Sequence, residues 1–330
     1  MKVTIIGLGK TGCSMGLALG GKPGEFHRVG HDRDLKAAKE AQKLGAVDTV
    51  VINLHQAVED ADTVFLAIPF DQVRETIQLI AHDLKEGCVI VDLSPAKQQV
   101  AAWMGEHLPA GRYYVGWNLA VNPSYLQDMD KGGSASRQDY FQRGVVAVTA
   151  PQGTPPEVYD FIGGLIQRIG AEPLFADSME MDGVLAEAQV IPQLLSALLV
   201  YTLTRQPGWR EARKFAGQDF WGMGLPIAKS ISADELSQTL LANREAVERL
   251  INELLHVLIE WREQVQSGEI EALTKNLREA QERFGKWQTE RMAANWLLEE
   301  SGIRREDIPS SGEALGRLVG LGNLARKHKK

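Results

Sequence analysis

The sequence is short of cysteine, of positive charge and of uninterrupted apolar runs, and each shortage excludes something. Only two cysteines occur in 330 residues, Cys13 and Cys88. Cys13 falls in an expected helix and Cys88 at the start of an expected strand, so both read as buried thiols rather than a disulfide, which suits a reducing cytosol. The net charge is −7, which excludes a general affinity for nucleic acid or anionic membrane. The one basic run, residues 327–330, reads as a solvated tail. No signal peptide and no unbroken apolar run of ~18 residues is present, so a cytoplasmic chain without a membrane anchor is expected. The histidines, among them His31, His55 and His256, lack metal-ligand spacing, and no metal is expected. What remains is an ordinary globular composition, 44% apolar and 24% charged, long enough for two domains.

The first dozen residues organise the rest. Residues 2–6 form a β-branched run, which reads as a short buried strand. Gly7, Leu8, Gly9, Lys10, Thr11 and Gly12 follow with the spacing G-x-G-x-x-G. Gly7 permits a tight turn, Gly9 lets a pyrophosphate approach the backbone, and Gly12 lets the next helix pack against the strand. That helix, starting near Lys10, offers free N–H groups to phosphate. A second strand over 26–31 ends at Asp32, 20 residues beyond Gly12, where an acidic residue can bond the adenosine ribose hydroxyls. Its carboxylate repels a 2′-phosphate and favours NAD. Arg33 leaves NADP open, because a guanidinium can pair with that phosphate. Asp32 could instead cap a helix over 35–44.

Further strands are expected over 47–52, 62–68, 88–93, 113–116, 145–149 and 173–175, alternating with helices such as 71–84 and 156–169. Ile68 and Pro69 close the fourth strand at its carboxyl end and should meet the cofactor. This alternation predicts an α/β fold with a Rossmann-type doubly wound parallel sheet over residues 1–177. Residues 178–330 read as all-helical. A nearly all-apolar helix over 178–203 should be buried. A glycine-rich interruption over 217–224 follows. Ser232 and Glu235 form a capping box that opens a helix running to about residue 266, some 50 Å long at 1.5 Å per residue. Gly268 ends it, another helix runs to about 300, and a short one closes the chain. Helices of that length suggest a bundle shared by a homodimer.

The chain resembles the prephenate/arogenate dehydrogenase family over nearly its whole length. Residues 92–97, with Asp92, Ser94 and Lys97, look like the family's D-x-x-S-x-x-K with the aspartate one residue nearer the serine. Residues 115–119 stand where the family has V-G-x-H-P. Residues 182–186 and 189–193 resemble D-x-x-x-A and H-x-x-P-H in the long interdomain helix, and residues 215–228 resemble a glycine-rich loop that normally reads G-F-R-D-x-T-R-I-A. Residues 240–247 resemble the helix after it. The resemblance implies an NAD(P)-dependent dehydrogenase of tyrosine biosynthesis. A hydride leaves the ring carbon bearing the hydroxyl, the ring carboxylate leaves as carbon dioxide, and the ring becomes aromatic. In the family the first histidine handles the hydroxyl proton with help from the serine, while the helix histidine and a loop arginine bind substrate.

The match breaks at that polar set. The first histidine aligns with Asn118, or with Asn122 if Asn122-Pro123 is the counterpart of H-P. Gln189 and Gln193 replace the helix histidines. The arginines fall on Trp221 or Gly222, and on Pro226. Asn and Gln donate hydrogen bonds but take no proton near pH 7. Two readings stand. In one, an oxidoreductase acts on a different or less anionic small acid, or keeps the family's literal chemistry with a relocated base and arginine, with Ser94, Asn118 and Gln189 catalytic and Asn122, Gln193 and Trp221 lining the substrate. Charge could come from Lys97, Glu187, Arg210, Arg213 or Lys214. In the other, a catalytically lapsed NAD(P)-binding protein acts by sensing or association. Plainer roles are a helix cap for Ser94, turns for Asn118 and Asn122, backbone satisfaction in a buried helix for Gln189 and Gln193, and core packing for Trp221.

Overall fold

The computed structural model describes residues 1–20, 24–128, 130–229 and 232–294. One eight-stranded sheet runs in the order β3-β2-β1-β4-β5-β6-β7-β8. Its strands are β1 (Lys2–Ile6), β2 (His27–His31), β3 (Thr49–Val50), β4 (Thr63–Leu66), β5 (Val89–Asp92), β6 (Tyr113–Ala120), β7 (Val145–Thr149) and β8 (Glu172–Phe175). All neighbours are parallel except β6 and β7. The helices of this half are α1 (Lys10–Leu19), α2 (Leu35–Lys43), α3 (Leu54–Val58), α4 (Phe70–Ile80), α5 (Lys97–His107) and α6 (Pro156–Arg168). Strand residues alternate between two cores, as a sheet covered on both faces requires. Val3, Ile5, Phe65, Val91 and Trp117 pack with Ile162 and Leu165 of α6. Ile6, Leu66 and Ile90 pack with Val73, Ile77, Val100 and Met104 of α4 and α5. The doubly wound fold expected from the alternation is what forms, and the reversal of strand order falls between β1 and β4, the ligand crevice of such sheets.

Beyond β8 the described residues are helical: α7 (Ser178–Leu185), a π-helical turn (Ala186–Val190), α8 (Ile191–Thr204), α9 (Trp209–Ala212), α10 (Gln218–Lys229), α11 (Ala233–Ala242), α12 (Arg244–Ser267) and α13 (Ile270–Ala293). Here several expectations are corrected. The apolar helix is continuous over Ser178–Thr204 but not buried, since Leu198, Leu199 and Leu203 are 40–46% exposed and Tyr201 61%. It is long and apolar enough to cross a membrane by length and composition, yet Ser196 on it bonds both Met223 O and Ile227 N of α10. The glycine-rich stretch is helix α10, not an interruption. The single long helix divides at Asn243 (φ −103°, ψ 24°), where the side-chain amide donates to Thr239 O and the chain turns. Gly268 (φ +70°) does end α12, as only glycine adopts that conformation readily. The closing short helix and the basic tail lie outside the described residues.

Two carboxylates of the helical half reach across to the sheet half. Asp182 of α7 accepts from the N–H of Lys97 (2.6 Å) and Gln98 (3.0 Å), the first turn of α5. Glu235 of α11 accepts from Phe70 N–H (3.0 Å), the first turn of α4. The capping box is therefore half formed. Ser232 caps α11 by accepting from Glu235 N–H, but the Glu235 side chain serves another helix. Helix N-termini leave four N–H groups without intrahelical partners, and α5 has no cap from its own flanking residue, Ala96. Truncation of Asp182 leaves two such groups unpaired beside a buried lysine. Asp182→Ala is expected to lower unfolding stability by about 1–3 kcal/mol, read as a lower urea midpoint, whereas Asp182→Asn, which keeps one acceptor, loses less.

Candidate active site

The glycine turn sits at the β1–β4 crevice for steric reasons. Gly7 has φ +93°, and a Cβ there would lie 2.4 Å from Ala67 O; one on Gly12 would lie 1.9 Å from Gly7 O. A Cβ on Gly9 meets nothing within 4 Å, so this glycine faces open space where a ligand can approach. The turn opens a groove of about 440 Å³ lined by Gly7, Gly9, Asp32, Arg33, Ile68 and Pro69. Leu8, Lys10, Thr11 and Gly12 do not line it. Leu8 N–H donates to Asp32 Oδ2 (2.7 Å) and Asp34 N–H to Asp32 Oδ1 (2.8 Å). Both bonds fix the carboxylate rim. Asp32 does not cap α2: Asp34 does, accepting from Lys36 N–H. Arg33 is exposed and lies 3.6 Å from Glu75. Lys10 pairs with Asp128 (3.3 Å) and sits over the Tyr140 ring, so the long β6–β7 connection folds over the start of α1. These features fit a dinucleotide: a close-approach glycine, a helix N-terminus and an oriented carboxylate at the crevice.

Two strands further along, the carboxyl ends of β5 and β6 hold a second cluster. Asp92 closes β5 fully buried, and Lys97, also fully buried, directs Nζ to Asp92 Oδ2 (2.8 Å) and Asp92 O (2.9 Å). Ser94 donates its hydroxyl to the same Oδ2 (2.8 Å) and its N–H to Oδ1 (3.0 Å). It does not cap α5. β6 runs four residues past the expected 113–116, because pairing with β7 carries it to Ala120. Asn118 is therefore a buried strand residue, not a turn residue. Its Nδ2 donates to Ser94 O (3.2 Å), and its Oδ1 is buried without a partner among the described residues. Tyr114, Gly116 and Asn118 alternate onto the face toward α5. A Cβ on Gly116 would lie 2.6 Å from Lys97 Cδ and 2.6 Å from Thr149 Oγ1, so the lysine stem occupies the space of a missing side chain. Burial pushes the Lys97 ammonium below its ordinary 10.5 and the Tyr114 phenol well above its ordinary 10.0.

The remaining predicted residues are not gathered there. Asn122 is committed to the backbone, accepting from Ser124 N–H and donating to Asp139 O. Gln189 is exposed in the π-helical turn, and Gln193 is half-buried with Oε1 unpartnered among the described residues. Trp221 is 71% exposed and packs in no core. Both cysteine thiols are buried and pushed up to about 12, which leaves them inert. Sequence reasoning passed over the Asp92–Lys97 pair as a unit. Its signal was a carboxylate ending an otherwise apolar strand, with a lysine five residues on.

Fold and crevice together define a dinucleotide-binding α/β protein of the Rossmann type with an appended helical half. Residues 17–174 match the family described as "Prephenate dehydrogenase, nucleotide-binding domain", a match that begins within α1. The chain is 26% identical over 204 residues to prephenate dehydrogenase of Bacillus subtilis, covering 61% of this chain and 54% of that one. Thus it spans about half the length of the curated relatives it matches. Its fold is that of prephenate dehydrogenase from Aquifex aeolicus (TM-score 0.75, 20% identity, 87% of this chain and 98% of that one), solved with hydroxyphenyl propionate and NAD+. It is likewise that of Synechocystis arogenate dehydrogenase (TM-score 0.69, 16% identity, 87% and 100%). The resemblance to the prephenate dehydrogenase family stands on sequence and fold alike.

The two glycines make opposite predictions. Gly12→Ala drives a Cβ into the Gly7 carbonyl and is expected to lower the melting temperature together with dinucleotide binding. Gly9→Ala has room and should fold with an unchanged melting temperature, yet bind NAD at least ~tenfold more weakly by calorimetry because the methyl fills the approach path.

Proposed function

We propose that this chain is an NAD-dependent dehydrogenase of the prephenate/arogenate type. It oxidises a small cyclohexadienyl acid in the cytoplasm, in the pathway to tyrosine, with loss of the ring carboxylate. The observation that carries this is the placement of Ser94 and Asn118 at the carboxyl ends of β5 and β6, beside the glycine crevice at β1 and β4. Bound NAD supplies a hydride acceptor. The protein's part is to orient a hydroxyl, hold its proton and exclude water. Asp32 supports NAD over NADP, because its carboxylate is fixed at the crevice by two N–H donors, while Arg33 is turned to Glu75. The arginine positions of the family loop carry Trp221, Gly222 and Pro226. A site with fewer cations favours the less anionic substrate, so arogenate, whose side chain carries an ammonium, is preferred over prephenate. Purified protein is expected to reduce NAD with arogenate at a kcat/KM about tenfold or more above that with prephenate. Equal or reversed preference overturns the substrate assignment. NAD binding without turnover of either acid supports the lapsed reading instead.

The division into a nucleotide-binding unit, residues 1–177, and a helical unit, residues 178–330, belongs to the same proposal, as does a homodimer through the helical unit. Its own buried core is small, centred on Ala186, Val190, Ile191, Leu236 and Val247. Leu198, Tyr201, Leu255, Leu258, Phe284 and Trp287 are all 46% exposed or more. Apolar exposure on this scale marks an association surface, and a second copy of the helical unit matches it in kind and length. Light scattering at micromolar concentration should give twice the chain mass of 36.3 kDa; a monomer refutes the dimer.

A further inference from the structure

The hydroxyl of Ser94 points inward, and that orientation has chemical content. Its proton is engaged with Asp92 Oδ2, so Ser94 has only lone pairs left to offer a ligand. Asn118 Nδ2 gives one of its two protons to Ser94 O, and its Oδ1 is buried with no partner among the described residues. An unspent acceptor on each of Ser94 and Asn118 suits a hydrogen-bond donor such as a hydroxyl. Behind Ser94, Oδ2 of Asp92 also meets Nζ of Lys97. The three groups form an unbroken hydrogen-bonded chain from Ser94 to a lysine with no solvent exposure.

We propose that Ser94, Asp92 and Lys97 are a proton relay that stands in for a histidine base, with Asn118 Oδ1 aligning the substrate hydroxyl. The inference rests on the dehydrogenase reading above. As the hydride leaves the hydroxyl-bearing carbon for the oxidised nicotinamide, the substrate O–H bond breaks and C=O forms. The proton passes to Ser94 Oγ, the serine proton passes to Asp92 Oδ2, and the neutral Lys97 amine becomes an ammonium. The C–C bond to the ring carboxylate then breaks, carbon dioxide leaves, and its bonding pair enters the ring. The oxygen becomes a phenolate, which takes the proton back along the same path. No proton is gained or lost overall, which is what a lysine sealed from water can serve: it lends a proton rather than draining one. Charges facing Lys97 are Asp92 on β5 and Asp182 on α7, with the Tyr114 phenol on β6. Burial favours its amine form, the form the relay needs at the start.

The test uses full-length protein with whichever of arogenate and prephenate the wild type turns over. Wild-type kcat should fall as pH drops and the Lys97 amine takes a proton ahead of turnover. Ser94→Ala should lose about 10²–10⁴-fold in kcat and lose that acid limb, with NAD affinity unchanged. The double variant Asp92→Asn/Lys97→Met removes the carboxylate and the amine together, so neither is left without its buried partner; it should lose the limb as well. Ser94→Thr keeps the hydroxyl and should restore much of the rate. Calorimetry without turnover reads the acceptor pair: with NAD present, wild type should bind hydroxyphenylpropionate at least ~tenfold tighter than phenylpropionate, and Asn118→Leu should erase the difference. An acid limb that persists in Ser94→Ala overturns the relay. Equal affinity of the wild type for the phenol and its dehydroxy analogue overturns the acceptor pair. A wild type that turns over neither acid removes the dehydrogenase reading and the relay with it.

Discussion

The Asp182 carboxylate on the first turn of α5 is the contact on which the rest depends. It joins residues 85 positions apart in the chain and satisfies N–H groups that α5 cannot satisfy locally. It also sits at the base of Lys97, so the helical half decides where the buried lysine stands. Burial raises the Asp182 carboxyl above its ordinary 3.8, against the pull of the Gln98 and Lys97 N–H groups. Water is excluded from this contact, which makes an unmade bond there more costly than on a surface. Glu235 repeats the arrangement at α4, 165 residues from Phe70 in sequence. α4 begins directly after Ile68 and Pro69, which line the nucleotide groove. One carboxylate thus fixes the helix behind the cofactor groove and the other the helix behind Ser94.

The sheet was legible because its strands are short, β-branched and buried on both faces, and because Gly7, Gly9 and Gly12 sit at a fixed offset from Asp32. These are local signals, and the fold keeps them local. Strand lengths were less legible. β6 extends to Ala120 only because β7, some 25 residues later, pairs with it antiparallel. Nothing between residues 116 and 120 announces that partner. The helical half resisted for two reasons. Apolar periodicity runs unbroken through Asn243, so one helix was expected where a side-chain bond to Thr239 O makes two. The apolar helix at 178–204 was expected to be buried, since composition reports that a surface must be covered but not by what.

The site shows a similar division. Sequence reasoning placed Ser94 and Asn118 near each other through family motifs, and the structure joins them by a hydrogen bond. It could not separate Asn118 from Asn122, because both are asparagines close to the expected histidine. The structure separates them by what their amides already do. Asn122 has both side-chain functions engaged with backbone, and Asn118 keeps one acceptor unspent. Likewise Lys97 was a nearby charge in sequence. Only the absent side chain at Gly116, which opens space for its stem between Tyr114 and Thr149, turns it inward.

That inward turn bears on how the proposed dehydrogenase does without a base at Asn118. A base in direct contact with substrate must be reachable and is therefore partly solvated. A base one serine removed can be wholly buried, at the cost of desolvating its charge. Asp92 offsets that cost, since its carboxylate meets the lysine, the serine hydroxyl and the Ser94 N–H at once. A reaction that returns its proton needs no path to solvent, so burial is compatible with turnover. In the proposed relay the acceptors of Ser94 and Asn118 meet the substrate while the base behind them stays out of water.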